Sequence, residues 1–324
     1  MLAPDACGLL VRLGLEEALL NGASASCPGI LSFWNPEQPE LSNFALTRLR
    51  DGRVVDRPRF DSYLRRLAAS AGADVLYSTK LRFSGSRGAH QVSFLLESSG
   101  GGGTEDRTAA FVVEAAGRNA VSGEAHDNCT ARLYFDRLVA VPLDSAAPCG
   151  TGEWLRIAPS RNGWWYKFSG GSGSACVFLT DADLLPKDAA SRADQLRREW
   201  REAIRFFGAP DDIGTFTASS RDARTSCRRV LWRNQWLPLG DAAFTLDPLS
   251  GSGLSRALRT ADTAASAVYE YLATRDTTAL SQHAVGVSRE FAASLAASRK
   301  YYGQAADYFP DSRFWRRRSG LLKP

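Results

Sequence analysis

The residues from Gly240 to Leu254, GDAAFTLDPLSGSGL, combine the side chains and turns that suit binding of an electron-rich or anionic ligand. A carboxylate at Asp241 follows a glycine, and Pro248 opens a turn that carries glycines at positions 251 and 253. A helical pattern begins directly after this turn. The first amides of a helix have no intrahelical partner, and the helix dipole is positive there. The stretch therefore indicates a helix N-terminus open to an electron-rich group.

The sequence contains few residues that could bind a metal or form a nucleophilic catalytic site. The three histidines, His90, His126 and His283, lie far apart in the sequence. A metal site or a Ser-His-Asp triad is therefore not expected. No CxxC spacing occurs among the six cysteines, which are more typical of reduced thiols in a cytosolic protein than of a disulfide framework: Cys7, Cys27, Cys129, Cys149, Cys176 and Cys227.

Two elements must position the 240–254 stretch. The residues from Val230 to Leu239 are rich in apolar and aromatic side chains, which predicts a buried strand. After the turn, apolar residues recur at steps of three and four, which places one stripe on a long helix. The predicted stripe consists of Leu254, Leu258, Ala261, Ala265, Val268 and Leu272.

The same stretch resembles the second flavin-binding motif of class A flavoprotein monooxygenases, the p-hydroxybenzoate hydroxylase type. It is most similar to the subgroup of flavin-dependent tryptophan halogenases and of flavoproteins that mature quinone-cofactor amine oxidases. The resemblance implies that Asp241 accepts a hydrogen bond from a ribityl hydroxyl of FAD, while Gly240 lets the backbone approach closely. It also implies that the following turn lines the isoalloxazine ring, through Pro248, Gly251, Ser252, Gly253 and Leu254.

Two further motifs carry the resemblance. The pattern from Val55 to Ala71 is similar to a family helix whose opening arginine, here Arg57, would approach the flavin or its diphosphate. Ala116-Gly117-Arg118 occupies the position of the family's middle motif, in which an Asp or Thr normally stands where Ala116 does. Arg118 is expected to pin a strand end rather than to do chemistry.

The resemblance places Met1 to Leu20 after the family's first βαβ unit, and the sequence contains no GxGxxG. We therefore expect the N-terminal dinucleotide-binding unit to be absent. Three explanations would each give this pattern: the given sequence starts late, it is a fragment, or the protein has lost the ability to bind the cofactor.

Four strand-like runs between Arg132 and Asp183 predict an antiparallel sheet, the substrate domain of this architecture. Alternation puts Trp164 and Tyr166 on one face, where they would border a substrate cavity, and Trp165 on the other. Sheet packing is the alternative role for these tryptophans. The run GWWYKFS lacks the Ile-Pro of the halogenase WxWxIP signature, which argues against halogenation.

Composition excludes several classes of protein. The chain has 324 residues, 44% of them hydrophobic and 23% charged, with a formal net charge of +5. The basic residues are dispersed apart from Arg313 to Arg318, so no nucleic-acid partner is expected. No membrane span and no signal peptide are predicted, which favours a cytoplasmic location.

We thus expect a mixed α/β fold: an incomplete FAD/NAD(P)-binding Rossmann-like domain, an antiparallel β-sheet substrate domain, and C-terminal helices. The expected divisions are 1–28, 55–125 and 226–275 for FAD binding, 29–54 and 126–225 for substrate, and 276–324 for the helical segment.

The function implied by the resemblance is that of an FAD-dependent monooxygenase-like oxidoreductase, with NADPH or NADH as reductant. It would hydroxylate an aromatic or tryptophan-like substrate through a flavin hydroperoxide. The partner would be a small aromatic molecule or a tryptophan-bearing protein. A flavin-dependent tryptophan-type halogenase, and an N-terminally truncated inactive remnant or binding protein, stay as alternatives.

Overall fold

The computed structural model describes residues 1–35, 37–46, 52–86, 91–99, 103–119, 131–144, 154–170, 173–207, 215–216 and 219–320. Within these ranges no helix is both long enough and apolar enough to cross a bilayer. The helices are α1 Pro4–Arg12, α2 Glu16–Gly22, α3 Arg57–Ser70, α4 Ala189–Ala203, α5 Gly253–Thr274, α6 Thr278–Tyr308 and α7 Arg313–Arg318.

The strands of the described residues are short and lie mostly in the middle of the chain. In order they are β1 Ala23–Cys27, β2 Gly29–Ser32, β3 Glu40–Asn43, β4 Gly52–Val55, β5 Thr79–Ser86, β6 Val92–Ser98, β7 Thr104–Ala109, β8 Val112–Glu114, β9 Arg132–Tyr134, β10 Leu138–Asp144, β11 Leu155–Ser160, β12 Gly163–Gly170, β13 Gly173–Asp181, β14 Thr215–Phe216, β15 Arg221–Asp222, β16 Ser226–Arg228, β17 Trp236–Pro238 and β18 Phe244–Thr245.

The largest sheet has eight strands, in the order β14-β10-β13-β12-β11-β2-β3, with β15 also paired to β10. Its pairs are antiparallel except for β11 and β2, which run parallel. β5, β6 and β7 form a separate antiparallel meander, and β16 pairs with β18 and β9. This arrangement confirms the expected mixed α/β fold with an antiparallel sheet. The division into domains stays a prediction.

The two faces of the large sheet carry separate aromatic cores. Trp164 is fully buried on one face, where its ring lies 5.6 Å from that of Trp34. Trp165 is fully buried on the other face, with its ring 5.2 Å from Trp200 of α4. Tyr166 packs against the same cluster as Trp164. The predicted alternation of these side chains is therefore confirmed.

Helix α5 forms where the apolar pattern predicts it, but its buried face is shifted along the helix. Leu254 and Leu258 pack only partly, against α1 and α3, while Ala265 and Leu272 are exposed. Because α5 lies close to β17 and α6, its innermost positions hold small or polar residues together with Arg256 and Tyr271. The buried set is Ser255, Arg256, Thr260, Ala264, Ala267 and Tyr271.

The C-terminal helices cover the Trp164 face of the sheet. The pattern predicted a helix over Leu280 to Ala297, and α6 continues beyond it to Tyr308. This extension exists because Tyr302, Ala305 and Ala306 are buried against the sheet, in the cluster that also holds Trp315 of α7.

Candidate functional site

The turn at Gly240 joins strand β17 to helix α5 at close range. β17 runs parallel to β8, and Gly240 follows it with a φ of 56°. This left-handed conformation favours glycine. The amide of Gly240 donates to Thr260 Oγ1 of α5 (3.3 Å), and a Cβ at Gly240 would lie 3.3 Å from the Cβ of Ala257. The turn therefore permits the close approach of backbone that the sequence indicated.

The carboxylate of Asp241 is held by two arginines. Arg256 Nη2 lies 2.6 Å from its Oδ1, and Arg118 Nε lies 3.6 Å from its Oδ2. The Arg256 side chain is only 3% exposed, whereas that of Asp241 is 36% exposed. A carboxylate has about four lone-pair sites, so Asp241 retains acceptor capacity toward a further donor on its open side.

Arginines also bind the backbone of this turn, a feature that the sequence pattern did not reveal. Arg132 Nη2 donates to the carbonyl oxygens of Asp241 (3.0 Å) and Ala242 (2.7 Å). Arg228 Nε donates to Ala242 O (2.9 Å), and its Nη2 lies 3.4 Å from the buried Glu114 carboxylate. Burial and the neighbouring charge of Arg228 lower the pKa of Arg132.

Arg118 has the anchoring role that was expected of it. It donates to Arg224 O (2.9 Å) and Leu246 O (3.3 Å), which connects the residues after β8 to both flanks of the Asp241 turn.

The N-terminus of α5 is open on one side. Pro248 begins a short 3-10 turn that ends at Gly251, whose φ is 59°. The side chain of the N-cap residue makes no capping hydrogen bond within the described part of the chain, and Gly253 has no described atom within 4 Å of the place where a Cβ would stand. Ser252 occupies the N-cap position, and the side chain of Leu254 packs toward α1 and α3. The amide-rich end of α5 therefore has free space beside it.

The other residues singled out in the sequence make different contacts, and Trp164 and Tyr166 pack in the cluster that also holds Leu249 of the Pro248 turn. Arg57 begins α3 and forms a bidentate ion pair with Asp61, at 3.1 and 3.0 Å. Trp164 and Tyr166 belong to the aromatic core beneath the C-terminal helices. Burial raises the pKa of Tyr166. Their assignment to a substrate cavity stays a prediction.

A cavity of about 540 Å³ lies between residues 135–137, the end of β13 and the C-terminal helices. Asp247, next to Pro248, is part of its wall, together with residues of α6 and α7. This volume falls within the range of small-molecule pockets. The sequence pattern did not predict this cavity, because the residues of its wall come from segments that are far apart in the chain. In the described ranges no cluster of His, Cys, Asp and Glu has the geometry of a metal site.

No protein-family model and no curated protein matches the chain. Solved structures do. CmlS, a flavin-dependent halogenase, superposes with a TM-score of 0.78 at 21% identity, over 98% of this chain and 60% of CmlS. QhpG, a peptidyl tryptophan dihydroxylase essential for tryptophylquinone cofactor biogenesis, superposes with a TM-score of 0.73 at 24% identity, over 98% of this chain and 69% of QhpG. The chain thus spans about three fifths of the length of CmlS.

The p-nitrophenol 4-monooxygenase PnpA from Pseudomonas putida DLL-E4 is also similar, with a TM-score of 0.71 at 15% identity over 99% of this chain. The chain has the fold of flavin-dependent halogenases and monooxygenases. In this chain the Gly240 turn is linked to the first turn of α5 by the ion pair between Asp241 and Arg256. Identities below 25% establish the fold and not the reaction.

Proposed function

We propose that the chain is the FAD-dependent, monooxygenase-like part of an oxidoreductase that hydroxylates an aromatic or tryptophan-like substrate. The observation that carries the proposal is the start of α5, which has open space at Gly253 and is tied to Asp241 through Arg256, in a fold shared with flavin-dependent halogenases and monooxygenases. When bound, FAD would supply the activation of oxygen, with NADPH or NADH as the proposed reductant.

The residues present fit FAD. Gly253 leaves room at the end of α5, where the helix dipole would stabilise negative charge on the ring. The exposed part of the Asp241 carboxylate offers an acceptor for a ribityl hydroxyl, while Arg256 and Arg118 fix its orientation. Gly240, Pro248, Gly251, Ser252 and Leu254 are proposed to shape the backbone around the ring, and Arg57 is proposed to approach the diphosphate.

Protein side chains are proposed to position the substrate and exclude water. The Trp164 face of the large sheet and the C-terminal helices enclose an apolar interior. We propose a small aromatic molecule or a tryptophan-bearing partner protein as the substrate.

The first test is an absorbance spectrum of the purified protein, followed by titration with FAD. We expect a flavin spectrum, or saturable binding of added FAD, that Gly253→Val weakens without changing the folded state. Ala265→Val is the matched control, because it places the same side chain on an exposed face of the same helix. A colourless protein that takes up no FAD would refute the proposal and leave a remnant or binding protein.

The halogenase alternative is favoured by the similarity to CmlS. Mass spectrometry of an indole substrate, with NADPH, oxygen and bromide present, would separate the two reactions. Gain of oxygen supports hydroxylation, and gain of bromine supports halogenation.

A further inference from the structure

The cavity between residues 135–137, the end of β13 and the C-terminal helices has an accessible aromatic side chain in its wall. Phe135 is 42% exposed, and the far side of its packing is formed by Phe291, whose ring lies 5.2 Å away. Leu246 and Leu295 add apolar surface to the same wall. An exposed aromatic side chain suits a flat aromatic ligand, because paired rings gain energy beyond that of apolar burial. The ring of a small aromatic molecule can therefore be accommodated here.

The carboxylates of the wall are already neutralised by the protein. Asp136 accepts hydrogen bonds from the amides of Leu138 (3.0 Å) and Thr225 (3.1 Å). Asp181 is paired with two arginines of α7, Arg317 (2.8 Å) and Arg318 (2.7 Å). Burial raises the pKa of the third carboxyl group, Asp247, well above its usual range, which favours its uncharged form. The acidic side chains therefore leave little uncompensated negative charge in the cavity.

Two arginines of the wall, in contrast, have little compensation. Arg299 of α6 is exposed, and among the residues that the structure describes it has no ion pair and no hydrogen bond. The side chain of Arg137, which follows β9, is 60% exposed and lies 3.8 Å from Asp183 Oδ2. That oxygen has a closer partner in Arg317, at 2.7 Å. The cavity thus presents accessible guanidinium groups from two separate elements beside its apolar surface.

We propose that this cavity binds a small aromatic carboxylate, with the ring against Phe135 and the carboxylate held by Arg299 and Arg137. A guanidinium group suits this ligand because its planar set of N–H donors matches the two oxygens of a carboxylate. The inference rests on the proposed function in treating the ligand of the cavity as the aromatic substrate. It adds that this substrate carries a negative charge, and it assigns the recognition of that charge to two named side chains.

The test compares two ligands with the same ring and nearly the same shape, indole-3-acetate and indole-3-acetamide, by ligand-observed NMR titration of the full chain without flavin. Only the acetate is charged. Because both arginines are exposed, each ion pair is worth little, and we expect wild-type protein to prefer the acetate by about threefold to tenfold at low ionic strength. The preference should shrink in about 0.5 M sodium chloride, which screens exposed charges.

A second pair of ligands tests the contact with the ring. Phenylacetate and cyclohexylacetate carry the same charge, but only phenylacetate has a flat aromatic ring. We expect phenylacetate to bind more tightly, because an aromatic ring can pair with Phe135 whereas a puckered saturated ring cannot.

Two variants and a control assign the preference for the charged ligand to the two arginines. Arg299→Gln should reduce the preference, and its combination with Arg137→Gln should abolish it. Arg289→Gln is the matched control, because Arg289 is also an exposed arginine of α6 but lines a different surface depression. It should leave the preference unchanged. All three positions are exposed, so the variants should fold as wild-type protein does.

Equal affinity of wild-type protein for indole-3-acetate and indole-3-acetamide, or binding of neither, would overturn the inference, and this readout needs no variant. An undiminished preference in the double variant would also overturn it, as would cyclohexylacetate binding at least as tightly as phenylacetate. Because the titration contains no flavin, its outcome is independent of FAD binding. Failure of the cavity proposal and failure of the proposed function can therefore be told apart.

Discussion

Arg256 Nη2 lies 2.6 Å from Asp241 Oδ1, which ties the first turn of α5 to the turn that ends β17. The Arg256 guanidinium also lies 4.6 Å from the centre of the Phe244 ring. The Arg256 side chain is buried, and removal of its charge leaves the Asp241 carboxylate, among the ion pairs of the described residues, with the longer contact to Arg118.

We expect Arg256→Met, which keeps the apolar stem, to lower the free energy of unfolding by about 1.5–3 kcal/mol, the range for hydrogen bonds to charged groups. Urea unfolding measures this loss. Arg259→Met is the control on the same helix: its pairs with Asp5 and Glu290 are partly exposed and should be worth less than about 1 kcal/mol each. Equal losses in the two variants would contradict the special role of the Arg256 pair.

Replacement by alanine should reduce the stability of the protein more at Gly240 than at Gly253. At Gly240 the φ of 56° and the contact with Ala257 disfavour a side chain, and we expect Gly240→Ala to cost about 1–3 kcal/mol. At Gly253 the space is open, so Gly253→Ala should change stability by less than about 0.5 kcal/mol. Thermal unfolding of both variants gives the comparison, and a neutral Gly240→Ala would show that the turn can relax.

The pH dependence of stability should report Asp247. Its folded-state pKa is raised by burial, so between the unfolded and folded pKa values the folded protein binds the extra proton. Stability therefore falls as the pH rises through that window, by about 1.4 kcal/mol for each pKa unit of difference. Asp247→Asn should remove this loss and be more stable than wild-type protein above the window.

Glu199 must be controlled in the same experiment, because burial raises its pKa as well and its contribution has the same sign. Glu199→Gln alone and the double variant separate the two carboxylates. If the stability of Asp247→Asn protein changed with pH as that of wild-type protein does, Asp247 would not be the source of this pH dependence.

Helix α7 should contribute strongly to stability through Trp315. This side chain is fully buried, and its indole N–H donates to Ser160 O (2.9 Å) of the sheet. We expect Trp315→Ala to cost about 3–5 kcal/mol. Trp315→Phe keeps much of the apolar contact but orphans the carbonyl, so its loss should be intermediate. Denaturant unfolding measures the free energy of unfolding of both variants. A small loss in Trp315→Ala would mean that α7 docks weakly.

The strongly patterned parts of the fold were predictable from the sequence. Helical spacing located α5, and period-two alternation placed Trp164 and Trp165 on opposite faces of a strand. Alternation is decisive there because both faces of the sheet are covered. The buried face of α5 was assigned wrongly, because apolar spacing cannot show that small residues such as Ala264 mark the closest packing.

The site was less accessible to sequence reasoning. Arg132 and Arg228 bind the carbonyls around Asp241 from β9 and β16, 110 and 14 residues away from Ala242, and no local spacing reports such contacts. Asp247 was visible only as part of a turn. Its burial depends on α6 and α7, which come from the other end of the sequence.

The cavity wall joins residues 135–137, 246–247 and 295–320, so it is complete only when the last helix has docked. A chain still emerging from the ribosome would present the Asp247 carboxyl group to water, where it ionises readily. Docking of α7, with Arg317 and Arg318 paired to Asp181, would then bury that carboxyl group and favour proton uptake. Docking of this helix is thus expected to become less favourable as the medium becomes more alkaline.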